Sequence, residues 1–286
     1  MWGGVVSLCG VLVFSVLVFS SGDLTLTWLF LELAGLCLVP AFFVGEGRSL
    51  YALFSFIVAS SLSSSLLVCS IVLPSCVFLF LGGFMIKFGF FPFFSWVYGV
   101  CTESNWLVVY LFSVVVKSSF FVLSFFFNSV AGGLLVSALA VLSLLGLGGL
   151  FWVYSFSWYH CWCHMMLSSS VVLVCAAMWG TNEILLCLYL VYFVWGSVVI
   201  LFLSRLDSGM RVDGVGSYYL FVFLLLSVPA SLSVFYKLVV GGCIYFCSLW
   251  VFVAWCFYSV LEQLFLLKYI SSVSVPKGLF GFLGCV

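Results

Sequence analysis

Long apolar runs follow one another almost without interruption along this chain, and that succession limits its fold more than any other feature. A bilayer-spanning helix takes about 20 mostly apolar residues, so 286 residues joined by short connections hold about ten. Only 6% of the residues are charged and 66% are hydrophobic, whereas a soluble domain carries about 25% charge. The expected fold is an all-α polytopic membrane protein, a single transmembrane domain over residues 1–286. The run Gly3–Ser20 has no basic segment before it and leads directly into another apolar run, so it reads as the first span rather than a cleavable signal. Formal net charge is zero, and nothing points to a nucleic-acid partner.

Hydropathy and breaker residues place helices near 3–20, 24–44, 50–73, 75–98, 106–127, 131–153, 164–180, 184–204, 217–240 and 243–269. Short connections predict that sequence neighbours pack as antiparallel neighbours. With alternating directions, Arg48, Arg205, Arg211, Lys268 and Lys277 all fall on one face, and the connections of the other face carry no Lys or Arg. The positive-inside rule therefore supports ten helices with both termini on the side of synthesis.

Two of these spans carry an internal break. Pro92 lies in Lys87-Phe-Gly89-Phe-Phe-Pro92-Phe-Phe-Ser-Trp96, and Pro229 lies eight residues before Lys237. Each removes a backbone hydrogen bond, which membranes tolerate where the break is buried in protein or lines a hydrated cavity. Two broken helices are expected, either as packing kinks or as parts of a water and proton path.

Four ionisable residues lie inside apolar runs: Glu32, Lys87, Lys117 and Lys237. Uncompensated, each costs about 2.5–3.5 kcal/mol on insertion scales. Lys87 and Lys117 fall near mid-span, where snorkelling explains them poorly; Lys237, near the expected end of its span, is open to either reading. Ion pairing accounts for all four. At about 7 Å and an effective dielectric near 20, a pair formed or broken is worth roughly 2.4 kcal/mol, a useful quantity in a proton relay.

The other polar features carry less. His160-Cys161-Trp162-Cys163-His164 gathers metal-ligand side chains, but its spacing matches no common zinc site; it reads as an aromatic-rich interfacial loop, and no metal is assigned. Ser60, Ser61, Ser63, Ser64 and Ser65 suit close helix contact or a hydrophilic lining. Glu46, Glu103, Glu183, Asp207 and Asp213 fall at loops or span ends and read as solvated. The 13 cysteines form no CxxC pair and read as small hydrophobes, with disulfides or clusters as the alternative. No dinucleotide fingerprint, P-loop or iron–sulfur ligand set occurs. The 34 Phe beside a single glutamine, Gln263, suggest the strand-biased codons of a small organelle genome.

The string from Lys87 to Trp96 resembles the lysine, glycine, proline-phenylalanine and tryptophan signature of the proton-pumping membrane subunits of respiratory complex I. Trp28–Glu32 resembles their glutamate helix, Lys117 follows Lys87 by the spacing of the family's next lysine, and Pro229–Lys237 resembles their second broken helix. The best match is the family of NADH-ubiquinone oxidoreductase chain 2, in a short animal mitochondrial form, over residues of about 25–240. Departures are Phe94 for a histidine, Tyr98-Gly99 for a Pro-Glu pair, and the His160–His164 region for a charged segment.

The resemblance implies an antiporter-like fold in the mitochondrial inner membrane with both termini on the matrix side. It implies other complex I membrane subunits as partners, with NADH, FMN, iron–sulfur clusters and ubiquinone held by partner subunits and none by this chain. Glu32 would pair with Lys87, Lys117 would be the central relay and Lys237 would pass the proton to the far side. The alternative reading is a stand-alone cation/proton antiporter.

Overall fold

The computed structural model describes residues 2–44, 50–73, 76–118, 133–209 and 215–274. Among them are twelve α-helices and no strand: α1 (Trp2–Ser20), α2 (Leu24–Leu38), α3 (Leu50–Val72), α4 (Val77–Phe88), α5 (Ser95–Glu103), α6 (Trp106–Tyr110), α7 (Gly133–Tyr154), α8 (Trp158–Trp179), α9 (Asn182–Asp207), α10 (Val215–Leu225), α11 (Leu232–Cys247) and α12 (Leu249–Ser274). Pro40 tightens the end of α2 into a 3-10 turn over Val39–Phe43. Seven helices are long and apolar enough to cross a membrane: α2 with its 3-10 turn, α1, α3, α7, α8, α9 and α12. The other three expected spans are the two broken ones, α4/α5 and α10/α11, and the one beginning at α6, whose later part lies outside the described residues. The chain is a multi-pass membrane protein with an all-α fold.

The first break follows from Gly89, which caps α4 in the left-handed region at φ +66°. A Cβ there would meet the Val97 side chain at 2.5 Å. The freed backbone finds partners: Phe91 N–H donates to Ser143 Oγ on α7 (3.1 Å), and Trp96 Nε1 donates to the Ile86 carbonyl (2.9 Å), folding α5 back onto α4. Gly89→Ala is expected to cost at least about 1–2 kcal/mol from backbone conformation alone, read as a lower melting temperature of the detergent-solubilised chain.

The second break spans 226–231, with Ala230 at φ 68° and Ser231 capping α11 by accepting from Val234 N–H. Gln263 of α12 satisfies the open backbone from both sides. Its Oε1 accepts from Ser227 N–H at 2.8 Å, and its Nε2 donates to the Leu225 carbonyl at 3.3 Å. Ser233 Oγ and Trp195 Nε1 donate to the Leu225 and Leu224 carbonyls. Backbone broken at membrane depth survives only with such partners.

Three expectations need correction. The seventh span begins at Trp158, six residues before 164, because Ser157 accepts from His160 N–H as its N-cap. The His160–His164 segment is therefore the first turns of a helix, not a loop. The ninth span runs to Cys247, and the turn falls at Ser248; Gly241 serves close approach, with only 3.1 Å between its would-be Cβ and the Trp255 ring. Sequence neighbours do pack together in several pairs, but α12 lies mainly against α7.

At the centre stands α8, buried from Cys161 to Ala177 on every side, with α5, α7, α9 and α11 around it. Its Ser168-Ser169-Ser170 and Ala176-Ala177 let backbones approach, and a helix apolar all round belongs in the interior. Ser157, Leu206, Asp207 and Tyr269 meet around one open vestibule, so the ends of α7, α9 and α12 and the start of α8 share a face with Arg205 and Lys268. Arg48, Arg211 and Lys277, like Glu46 and Asp213, lie outside the described residues.

Candidate functional site: a buried row of charges and hydroxyls

Glu32 of α2 and Lys87 in the last turn of α4 meet at 2.9 Å, with side chains 23% and 12% exposed. Between their helices lies α3, where Ser64 Oγ accepts from Trp28 Nε1 at 3.1 Å. Lys87 also lines a cavity of about 40 Å³ whose walls include Ser60, Trp96, Lys117, Met166 and Ser170. A buried water takes about 10–15 Å³ of such volume, so about three fit, with Ser60, Lys87, Lys117 and Ser170 as polar partners. The serine run thus serves both readings offered by the sequence: Ser64 holds a helix contact and Ser60 faces the cavity.

Lys117 is placed by a distortion in its own helix. After α6, Leu111–Val115 form a π turn and Val116–Ser118 a 3-10 turn, the kind of irregularity that often marks functional positions. Side chains of neighbouring helices hold it in place: Tyr192 Oη donates to the Ser113 carbonyl at 2.8 Å, and Trp162 Nε1 donates to Ser113 Oγ at 3.0 Å. The Lys117 ammonium, 3% exposed, donates to the Met166 carbonyl and Ser169 Oγ, both at 2.6 Å, and to Tyr192 Oη at 3.2 Å. The Tyr192 ring centroid is 4.6 Å away.

Among the described residues no carboxylate lies within salt-bridge distance of Lys117, so pairing does not account for it. Neutral oxygens replace its hydration shell. Among a carbonyl, a hydroxyl and a phenol, the lysine can lose or regain its proton without stranding a counter-charge. An ion-paired partner would hold that charge fixed.

Beyond Lys117 the row continues through aromatic hydroxyls. The Tyr192 and Tyr236 rings lie 6.0 Å apart, and Trp195 stacks on Tyr236 at 4.5 Å. Ser169 and Glu262 are among the polar neighbours of the Tyr236 hydroxyl. Next along α11 is Lys237, and its Nζ lies 2.9 Å from Glu262 Oε1, with side chains 13% and 8% exposed. The approach is oblique, so the two ions touch without an aligned hydrogen bond. Glu262 Oε1 also accepts from Gln263 Nε2 at 3.2 Å.

All four sequence-selected residues thus lie in one row, though by different means. Lys237 does not snorkel: it is well inside α11, paired to a carboxylate that sequence reasoning did not single out. Glu262 falls inside the last expected span, 243–269. Its signal was a second carboxyl inside an apolar run, next to the chain's one glutamine. His160 and His164 do not converge on a metal: His160 Nδ1 is 2.8 Å from Ser157 Oγ, and His164 Nδ1 is 2.6 Å from Tyr98 Oη. Asp207 is not merely solvated, since it accepts from Trp106 Nε1 at 3.1 Å.

No protein-family model matches the sequence, and no curated protein is similar to it. Among solved structures, the chain is similar to a chain of the membrane-bound sulfane sulfur reductase, an archaeal respiratory membrane complex, with a TM-score of 0.65 and 14% sequence identity. The similarity covers 92% of this chain and 66% of that one, so this chain spans just under two thirds of its length. At that identity the likeness is one of fold.

Proposed function

We propose that the chain is a proton-translocating membrane subunit of a respiratory complex of the NADH:ubiquinone oxidoreductase type. The observation that carries this is the row of intramembrane polar groups from Glu32–Lys87 through Lys117 to Glu262–Lys237. The order of the sequence motifs and the fold shared with a chain of a respiratory membrane complex support it. NADH, FMN, iron–sulfur and ubiquinone chemistry would belong to partner subunits in the mitochondrial inner membrane, with this chain's own residues holding and passing protons.

In this reading the cavity waters carry a proton between Lys87 and Lys117, and the Ser169, Tyr192 and Tyr236 hydroxyls face the onward step to the Lys237 pair. Opening one ion pair changes the charge felt by the next site. At about 7 Å that is worth roughly 2.4 kcal/mol, comparable with the roughly 2.3 kcal/mol that moving one charge costs per 100 mV. Glu32→Gln is expected to lower coupled proton translocation at least about tenfold, equivalent to about 1.4 kcal/mol, while the complex still assembles. Proton flux per NADH oxidised in vesicles reads this directly.

Purification in mild detergent tests the assignment itself. The chain should come out with an NADH-oxidising, quinone-reducing complex. Recovery as an isolated protein that exchanges cations for protons in vesicles would replace this reading with the stand-alone antiporter.

A further inference from the structure

The vestibule shared by the ends of α7, α9 and α12 and the start of α8 holds about 330 Å³ and is open to the face that carries Arg205 and Lys268. Ser155, Ser157, Asp207, Cys161 and Phe265 are among its wall residues, the last two about one helical turn inward of Trp158 and Tyr269 on their helices. Phe265 lies against Phe151 at 5.0 Å, and Phe151 against His164 at 4.9 Å. One helical turn below Cys161 on α8 is His164, and one turn below Phe265 on α12 is Glu262. Each is about 4.5 Å deeper by the rise of an α-helix.

Two polar atoms at and just below that layer have no partner. His164, fully buried, uses Nδ1 on Tyr98 and leaves Nε2 unmatched. Tyr258, 2% exposed and one turn below Glu262, leaves its hydroxyl unmatched. Glu262, Ser168, Cys161 and Tyr98 are the polar groups that interact with it, none aligned into a bond. Both rings pack on Phe151, His164 at 4.9 Å and Tyr258 at 6.3 Å, and unmatched buried polar atoms call for a water where it finds two to four polar partners.

We propose that the vestibule is an aqueous proton port that loads the Glu262–Lys237 pair directly from this face, through a water held among His164, Tyr258 and Glu262. A hydronium in the port breaks one O–H bond, the proton forms a new O–H bond on a Glu262 carboxylate oxygen, and water is left behind. The neutralised Glu262 then releases its hold on Lys237. Phe265 and Cys161 form the floor between port and pair, and Phe265 is the gating bulk. The port rests on the relay described above, and it adds a second loading point that does not pass through Lys117.

Water-soluble carbodiimide with glycine ethyl ester, applied to the intact membrane complex and read by mass spectrometry of the peptides, tests access to the carboxyl. Glu262 should be labelled in the native chain, more strongly in Phe265→Ala, and with loss of labelling in Phe265→Trp, while Glu32 labelling stays constant in all three. Glu262 left unlabelled in both the native chain and Phe265→Ala overturns the port, as does equal labelling in Phe265→Trp. Labelling reads access whether or not protons are pumped. If it behaves as stated while removal of Lys117 leaves pumping intact, the port stands and the relay falls.

Discussion

Lys117→Ala should abolish the proton translocation that enters by way of Lys87 while leaving the chain assembled. Lys117 is the one buried cation among the described residues held by neutral oxygens alone, so its replacement strands no carboxylate. The Met166 carbonyl and the Ser169 and Tyr192 hydroxyls lose a donor, but water from the adjoining cavity can replace it. Breaking a relay by removing its central group costs orders of magnitude in flux, whereas the packing loss is that of a partly hydrated lysine. The check is proton flux in vesicles alongside the amount of assembled complex. Unchanged flux at normal assembly would remove Lys117 from the path.

Glu262→Ala should act in the opposite sense, on stability first. It leaves the Lys237 ammonium buried without a counter-charge, and breaking a buried pair from one side costs about 3–5 kcal/mol. The amount of assembled chain and its melting temperature should both fall. Removing both charges with Glu262→Leu and Lys237→Met should restore stability, because a buried ion pair replaced by apolar groups of similar size is often neutral or better. Pumping should stay lost in that double variant. A double variant that pumps would show that the pair is structural.

Much of the fold was legible because insertion into lipid leaves few choices: apolar length marked the spans, and Pro92 and Pro229 marked the neighbourhood of the two breaks. What the sequence hid was local. The ninth span extends to Cys247 because Gly241 admits the Trp255 ring, and a glycine pair looks like a turn until the neighbouring helix is in place. The start of α8 at Trp158 rests on one serine cap, in a segment whose histidines and aromatics imitate an interfacial loop. The site followed the same division. Glu32, Lys87, Lys117 and Lys237 stand out as charges among apolar residues, but their partners depend on helix order in space. The contact between α11 and α12 gives Lys237 its carboxylate, and a π turn aims Lys117 at oxygens instead of at one.

Glu262 and Gln263 are consecutive on α12, about 100° apart around its axis, yet one neutralises Lys237 and the other stitches the open backbone at 226–231. Neither duty can be altered by turning the helix without disturbing the other. A rotation that drew Glu262 away from Lys237 would also pull Gln263 off Ser227 and Leu225, loosening the hinge on which Lys237 itself is mounted. Charge state and joint stiffness are geared together at this end of the molecule, so the last helix behaves as a crankshaft, able to convert a proton's arrival into motion of the broken helix beside it.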